Sequence, residues 1–207
     1  MSIVLPTDEN LKKAKMILEK GGIIAYPTET FYALGANPFN IDAVKKLFKI
    51  KERSPDKPVS ILIRNENALN NIVEEIPDIA KGLIKRFWPG PLTIVFKAKG
   101  NIPDMLTAFT GKIAVRVSSN PIAKRLLDIL EMPVTTTSAN PSEEKSPINA
   151  EDVERYFGSS LDMIIDGGIL AGKLGSTIID VTDTHLRCIR EGEIPFKSLE
   201  PCKQDVI

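Results

Sequence analysis

The residues in this chain that could do chemistry are cations and neutral hydrogen-bonding groups: Thr28 to Thr30, Lys51 and Arg53, Arg116, Ser138 and Asn140, Ser146, Ser176 and Arg190. Lys51 and Arg53 stand two apart inside Leu47 to Ile63, which reads LFKIKERSPDKPVSILI. If this stretch is extended, both cations share one face, because strand side chains repeat every second residue. On a helix they would diverge. An arginine fork and a lysine point charge aimed one way suit a phosphate or a carboxylate. Taken alone, the stretch reads first as a solvated charged loop, with Glu52 and Asp56 partly neutralising it. Thr135 to Thr137 lead into Ser138-Ala139-Asn140. Strand preference explains the threonines but not Ser138 and Asn140. No histidine or cysteine nucleophile belongs to this set. It would bind anions and stabilise developing charge rather than form a covalent intermediate. Phosphoryl or nucleotidyl transfer fits, since positioning and charge neutralisation carry most of that chemistry. Neither G-x-x-x-x-G-K-[ST] nor G-x-G-x-x-G occurs, so no P-loop or Rossmann fingerprint applies.

The bulk numbers narrow the options. A length of 207 residues allows one large domain. Hydrophobic residues at 43% and charged residues at 26% are an ordinary globular balance. The formal net charge is zero, so nucleic-acid contact would need a local basic patch. Cys188 and Cys202 have no metal or redox spacing and are expected to be free thiols. The single histidine, His185, rules against histidine triads and multi-histidine metal sites. MSIVLPTDEN does not read as a signal peptide, and no window approaches the roughly 20 apolar residues of a membrane span. A cytoplasmic protein is expected.

The elements that must position these residues follow from capping and periodicity. Helices are expected after Thr7 or Asp8, from Asp42 to Ile50 after Asn40, after Pro77, after Asn120-Pro121 and after Asn149. Strands are expected at Ile23 to Tyr26, Val59 to Ile63, Leu92 to Phe96, Ile113 to Val117, Val134 to Thr137, Met163 to Asp166, Thr177 to Val181 and Leu186 to Arg190. Pro27 to Thr30 is a polar turn directly after a strand, where ligands bind in α/β sheets. The alternation points to an α/β (α+β) single domain with a twisted, mixed open β-sheet flanked by helices. The domain is bounded at residues 9–195, with a short C-terminal tail at 196–207.

Several motifs in order resemble the YrdC-like family. They are Tyr26-Pro27-Thr28-Glu29-Thr30, Lys51-x-Arg53, Lys57-Pro58, Trp88-Pro89-Gly90-Pro91-Leu92-Thr93, Ala114-Val115-Arg116-Val117, Thr137-Ser138-Ala139-Asn140 and Ser176-Thr177-Ile178-Ile179-Asp180. The resemblance runs from about Glu9 to Pro195. It implies a YrdC-like fold and threonylcarbamoyl-AMP synthase chemistry. L-threonine, bicarbonate and ATP would give threonylcarbamoyl-AMP and pyrophosphate, for tRNA modification. By resemblance Lys51, Arg53, Ser138 and Asn140 are the catalytic set. Thr28, Thr30, Arg116 and Ser176 would hold the threonine, and Ser146 and Arg190, with Lys51 and Arg53, the nucleotide. Mg2+ would arrive on ATP, with no protein metal cage. The implied partners are tRNA and downstream threonylcarbamoyl-transferase proteins, with no membrane. Lys51→Ala is expected to abolish turnover with little loss of fold.

Some positions depart from the family pattern. Tyr32-Ala33-Leu34-Gly35 stands where many synthases have Tyr-Gly-Leu-Gly, as in the YciO-type branch. That branch tends to lose the K-x-R and S-x-N residues, which this chain keeps. Pro58 to Leu62 lacks a histidine common in synthases, and Glu143 occupies a frequent glycine position. The chain resembles the short form without a C-terminal extension. A YciO-like relative and an RNA-binding module of the same fold are the alternative readings.

Overall fold

A computed structural model describes residues 2–183 and 185–199. Side-chain oxygens set the helix starts. Thr7 accepts from the Asn10 N–H at 3.2 Å and opens α1 (Asp8–Glu19). Asn40 accepts from the Asp42 and Ala43 N–H groups and opens α2 (Ile41–Ile50). Pro77 precedes α3 (Asp78–Phe87) without a side-chain cap. Asn120 caps α4 (Pro121–Leu130), and Asn149 caps α5 (Ala150–Phe157). These oxygens satisfy amides that have no partner inside the first turn.

The strands are β1 (Ile3–Val4), β2 (Ile24–Pro27), β3 (Tyr32–Gly35), β4 (Ser60–Leu62), β5 (Leu92–Lys97), β6 (Lys112–Arg116), β7 (Val134–Ser138), β8 (Met163–Ile165), β9 (Thr177–Asp180) and β10 (Arg187–Arg190). They form one sheet in the order β1-β8-β2-β3-β7-β4-β6-β5-β9-β10. Parallel pairs (β1/β8, β2/β8, β4/β6, β5/β9) occur together with antiparallel ones, so the sheet is mixed as expected. β7 lies centrally and joins the halves by pairing with both β3 and β4.

Two apolar clusters cover the sheet. Leu11, Ala14 and Leu18 of α1 and Leu126, Leu127 and Leu130 of α4 pack on Ile24, Tyr26, Ala33, Leu62 and Val134. Helices α2, α3 and α5 pack on the alternate residues, among them Ala25, Leu34, Ile61, Ile94 and Val115. Each fully buried leucine contributes about 2 kcal/mol by leaving water. Helices α1 and α4 cover β8, β2, β3 and the ends of β7 and β4 at Val134 and Leu62, and the uncovered part of that face includes Ser60, Thr93, Arg116 and Thr136.

Two elements were not expected. The stretch after the polar turn is β3, which makes Pro27 to Tyr32 the bend of an antiparallel hairpin. Tyr32-Ala33-Leu34-Gly35 is short and buried throughout, so it lacks the alternation that marks a half-exposed strand. β1 is only two residues long. The tail opens with a 3-10 turn, Phe196–Leu199, which buries Leu199. Residues 200–207, including Cys202, lie outside the described residues.

Candidate active site

Strand register shows why the polar residues converge. Leu62 pairs with both Arg116 and Val134, so Arg116 shares the α1/α4 face with them. Alternation along β4 and β7 puts Ser60, Thr136 and Ser138 on that face too, and Ala33 pairs with Ser138. The result is a cavity of about 430 Å³ beside the edge of the helical cover. Its floor is Ser60, Thr93, Arg116, Thr136, Ser138 and Ile178, and its walls come from the β2–β3 bend, the 53–58 loop, Ser146 and the loop before β9.

Of the expected site residues, Thr28, Thr30, Arg53, Arg116, Ser138, Ser146, Ser176 and Arg190 line this cavity. Thr28 fixes the bend, because its Oγ1 accepts from the Thr30 and Phe31 N–H groups and donates to the Phe31 carbonyl at 2.7 Å. It also lies 3.0 Å from Thr30 Oγ1. Ser176 Oγ is 2.8 Å from Thr93 Oγ1, and Arg190 donates to the Ser176 carbonyl at 2.7 Å and to its hydroxyl at 3.2 Å. Gly175 and Gly192 allow this close packing, since a Cβ on Gly192 would fall 2.1 Å from the Gly175 carbonyl oxygen. The Tyr32 hydroxyl accepts from the Gly167 N–H at 2.8 Å and donates to the Gly168 carbonyl at 2.9 Å, fixing the loop that leads to Leu174.

Lys51 and Asn140 do not line the cavity. The expected extended Lys51-x-Arg53 is instead a helix-ending turn. Lys51 caps α2 at φ −82°, ψ −6°, and Glu52 is left-handed at φ +51°. The Glu52 N–H donates to the Lys49 carbonyl and the Arg53 N–H to the Phe48 carbonyl at 2.9 Å, the paired bonds of a Schellman motif. The restriction imposed by Pro55 acts on Ser54 and does not reach back to Lys51. The turn sends the two cations apart. Lys51 is 3% exposed, and its Nζ donates to the Ser138 carbonyl at 2.5 Å and the Asn140 carbonyl at 2.7 Å. Burial, and then the nearby Arg53 charge, push its pKa down to about 7. Arg53 donates to the Lys57 carbonyl at 2.9 Å and the Pro58 carbonyl at 2.6 Å and reaches the cavity. Asn140 donates to the Pro141 and Glu144 carbonyls, shaping the loop after β7. Half of the K-x-R/S-x-N set thus faces the cavity and half buttresses it from behind.

The burial of Lys51 argues against the small loss of fold expected for Lys51→Ala. Removing the amine would leave the Ser138 and Asn140 carbonyls without that donor, so loss of fold stability is expected alongside any loss of turnover.

Arg116 is 4% exposed, and its Nη1 lies 3.5 Å from Glu29 Oε1. Desolvation, and then the Arg116 charge, lower the pKa of Arg190, whose outer surface stays open to solvent. Arg53, Arg116 and Arg190 therefore converge on one cavity with Glu191 as the carboxylate among its lining residues, an arrangement that attracts anions. Reading the sequence for chemistry passed over Ser60, Thr93 and Thr136. Each lies inside a strand, and only the register brings them to this face.

Residues 16–192 match the Sua5/YciO/YrdC family, described as telomere recombination. The threonylcarbamoyl-AMP synthase of Pyrococcus abyssi is 36% identical over 205 residues, covering 97% of this chain and 60% of that protein. A solved structure of P. abyssi Sua5 complexed with L-threonine superposes with a TM-score of 0.90 at 36% identity, covering 93% of this chain and 57% of that one. A putative threonylcarbamoyl-AMP synthase of Methanocaldococcus jannaschii is 37% identical over 199 residues, 94% of this chain and 93% of that protein. The structure of Escherichia coli YciO gives a TM-score of 0.86 at 30% identity, covering 94% of each chain. The chain therefore spans about three fifths of the P. abyssi relative and nearly all of the M. jannaschii one. The match across residues 16–192, and identities above 30% along nearly the whole chain, mean that it belongs to the Sua5/YciO/YrdC family.

Proposed function

We propose that this chain is a threonylcarbamoyl-AMP synthase, joining L-threonine, bicarbonate and ATP with release of pyrophosphate. The observation that carries the reading is the convergence of Arg53, Arg116 and Arg190 with a ring of hydroxyls on one cavity. The names of the relatives point the same way. In the reaction, the threonine amine attacks bicarbonate and, with loss of water, forms a carbamate. A carbamate oxygen then bonds to the α-phosphorus of ATP as the bond to the β-phosphate oxygen breaks, and pyrophosphate leaves. Every intermediate is anionic and no protein nucleophile is required. Arg116, Thr28, Thr30 and Ser176 hold the threonine and its reactive end. Arg53 and Ser138 face the carbamate and phosphates, where guanidinium forks and hydroxyl donors stabilise developing charge. Ser146 and Arg190 flank the nucleotide. Lys51 and Asn140 act from behind by fixing the end of β7 that carries Ser138 and the loop that leads to Ser146.

The cavity lining suits Mg2+ carried by the triphosphate, because hydroxyls and guanidinium groups outnumber its carboxylate. Such an ion would take phosphate oxygens and water as ligands and neutralise phosphate charge. The product serves tRNA modification in the cytoplasm through tRNA and downstream threonylcarbamoyl-transferase proteins. Residues 9–195 are the working domain, and 196–207 a tail. No helix among the described residues is long and apolar enough to cross a membrane.

Pyrophosphate release from ATP tests the proposal. Release requiring both threonine and bicarbonate supports it. A folded sample that releases none, yet acts on preformed threonylcarbamoyl-tRNA, would favour the YciO-type reading, for which Ala33 in the cavity wall is the structural argument.

A further inference from the structure

We infer that Glu29 is a positioning residue that holds the Arg116 guanidinium in place at the cavity floor, so that the arginine meets an incoming carboxylate without having to reorganise. Glu29 sits at the apex of the β2–β3 bend, where the Thr28 hydroxyl fixes the backbone on both sides. Its Oε2 accepts a short hydrogen bond from Ser118, and Ser118 Oγ also accepts from the Asn120 N–H at 3.2 Å. Asn120 caps α4, so the carboxylate is tied to two rigid elements at once. Its other oxygen, Oε1, lies 3.5 Å from Arg116 Nη1.

Two features set this pair apart. Among the described residues, Glu29 Oε1 and Arg116 Nε are both buried without a hydrogen-bond partner, whereas buried charged groups are ordinarily satisfied. Arg116 also shares the cavity with Arg53 and Arg190, so without a fixed counter-charge the three cations would repel one another. The Glu29 carboxylate offsets that repulsion and leaves guanidinium donors free. The anchor is built from Ser118 and the α4 cap, neither of which lines the cavity.

The choice of L-threonine as the ligand rests on the proposed function; the positioning of Arg116 does not. Glu29→Gln keeps the size and an acceptor for Ser118 and removes the charge. Two readouts decide the inference. The first is the Arg116 Nε–H resonance in 15N NMR spectra, assigned with Arg116→Lys. The second is affinity for L-threonine and for ATP by calorimetry. In Glu29→Gln the resonance should shift and exchange faster with water. Threonine affinity should fall about tenfold with ATP affinity within about twofold, a split that a general loss of structure would not produce. Ser118→Ala should move both readouts the same way by less, and it carries the test if Glu29→Gln does not fold. An unchanged Arg116 resonance overturns the inference. If the wild-type protein binds no threonine, the substrate reading falls, and the resonance alone decides the role of Glu29.

Discussion

Lys51 and Arg53 are two positions apart, yet the structure gives them different work. Lys51 bonds two main-chain carbonyls behind the cavity, whereas Arg53 borders it. Lys51→Met should therefore lower stability by about 1–3 kcal/mol, the cost of stranding buried acceptors. Arg53→Ala should lower kcat/KM by about 100-fold, as loss of a donor to developing charge does, with a smaller effect on Tm. Melting curves and steady-state rates on both variants check the contrast. The lowered pKa of Lys51 adds a pH dependence. Between about 7 and the unfolded value near 10.5, the unfolded chain holds the proton that folded Lys51 has lost. Wild-type stability relative to Lys51→Met should then be flat below about pH 7 and rise from there to about pH 10. The identity of the four K-x-R/S-x-N residues was legible in the sequence. Their division into two facing and two buttressing was not, because it depends on the left-handed Glu52, a conformation with no strong local signal outside glycine.

At the scale of elements, local signals carried far. Caps at Thr7, Asn40, Asn120 and Asn149 placed four helices within a residue or so, since a capping side chain and an apolar stripe leave little freedom. β3 was missed because strands buried on both faces show no alternation. Glu143 could be flagged from sequence as a residue in a glycine-type position, and it adopts φ +76°. Glu143→Gly should raise Tm by about 2–4 °C if it relieves about 1 kcal/mol of left-handed strain. A fall in Tm would mean that the glutamate side chain holds the loop. The β9–β10 connection depends on Asp180, which is 2% exposed and accepts from Lys112 and Arg187 at 3.0 Å and from the Thr182 hydroxyl at 2.6 Å. Burial would raise its pKa, but these bonds outweigh burial and hold it at about 2. Its stabilising effect is then full above the unfolded value near 3.9 and is lost as pH falls through about 2. Asp180→Asn should cost on the order of 2 kcal/mol at pH 7, with the difference from wild type shrinking as pH falls and vanishing below about pH 2 in denaturant titrations.

At the scale of the molecule, function follows from incomplete cover. Helices α1 and α4 shield one end of a sheet face, and the uncovered strands turn hydroxyls and arginines toward the open part. Composition and periodicity revealed a mixed α/β domain, but the strand order was out of reach. β7 lies next to β3 and β4, which are far from it in sequence, and such pairings leave no local mark. We propose that this cavity joins threonine, bicarbonate and ATP. The most direct test is incubation with 13C-bicarbonate, L-threonine and ATP, followed by mass analysis of the quenched mixture. A labelled threonylcarbamoyl adenylate that disappears when any one substrate is omitted, and is strongly reduced in Arg53→Ala, is the predicted result. A folded, ATP-binding protein that yields no labelled adenylate under any of these conditions would contradict the account.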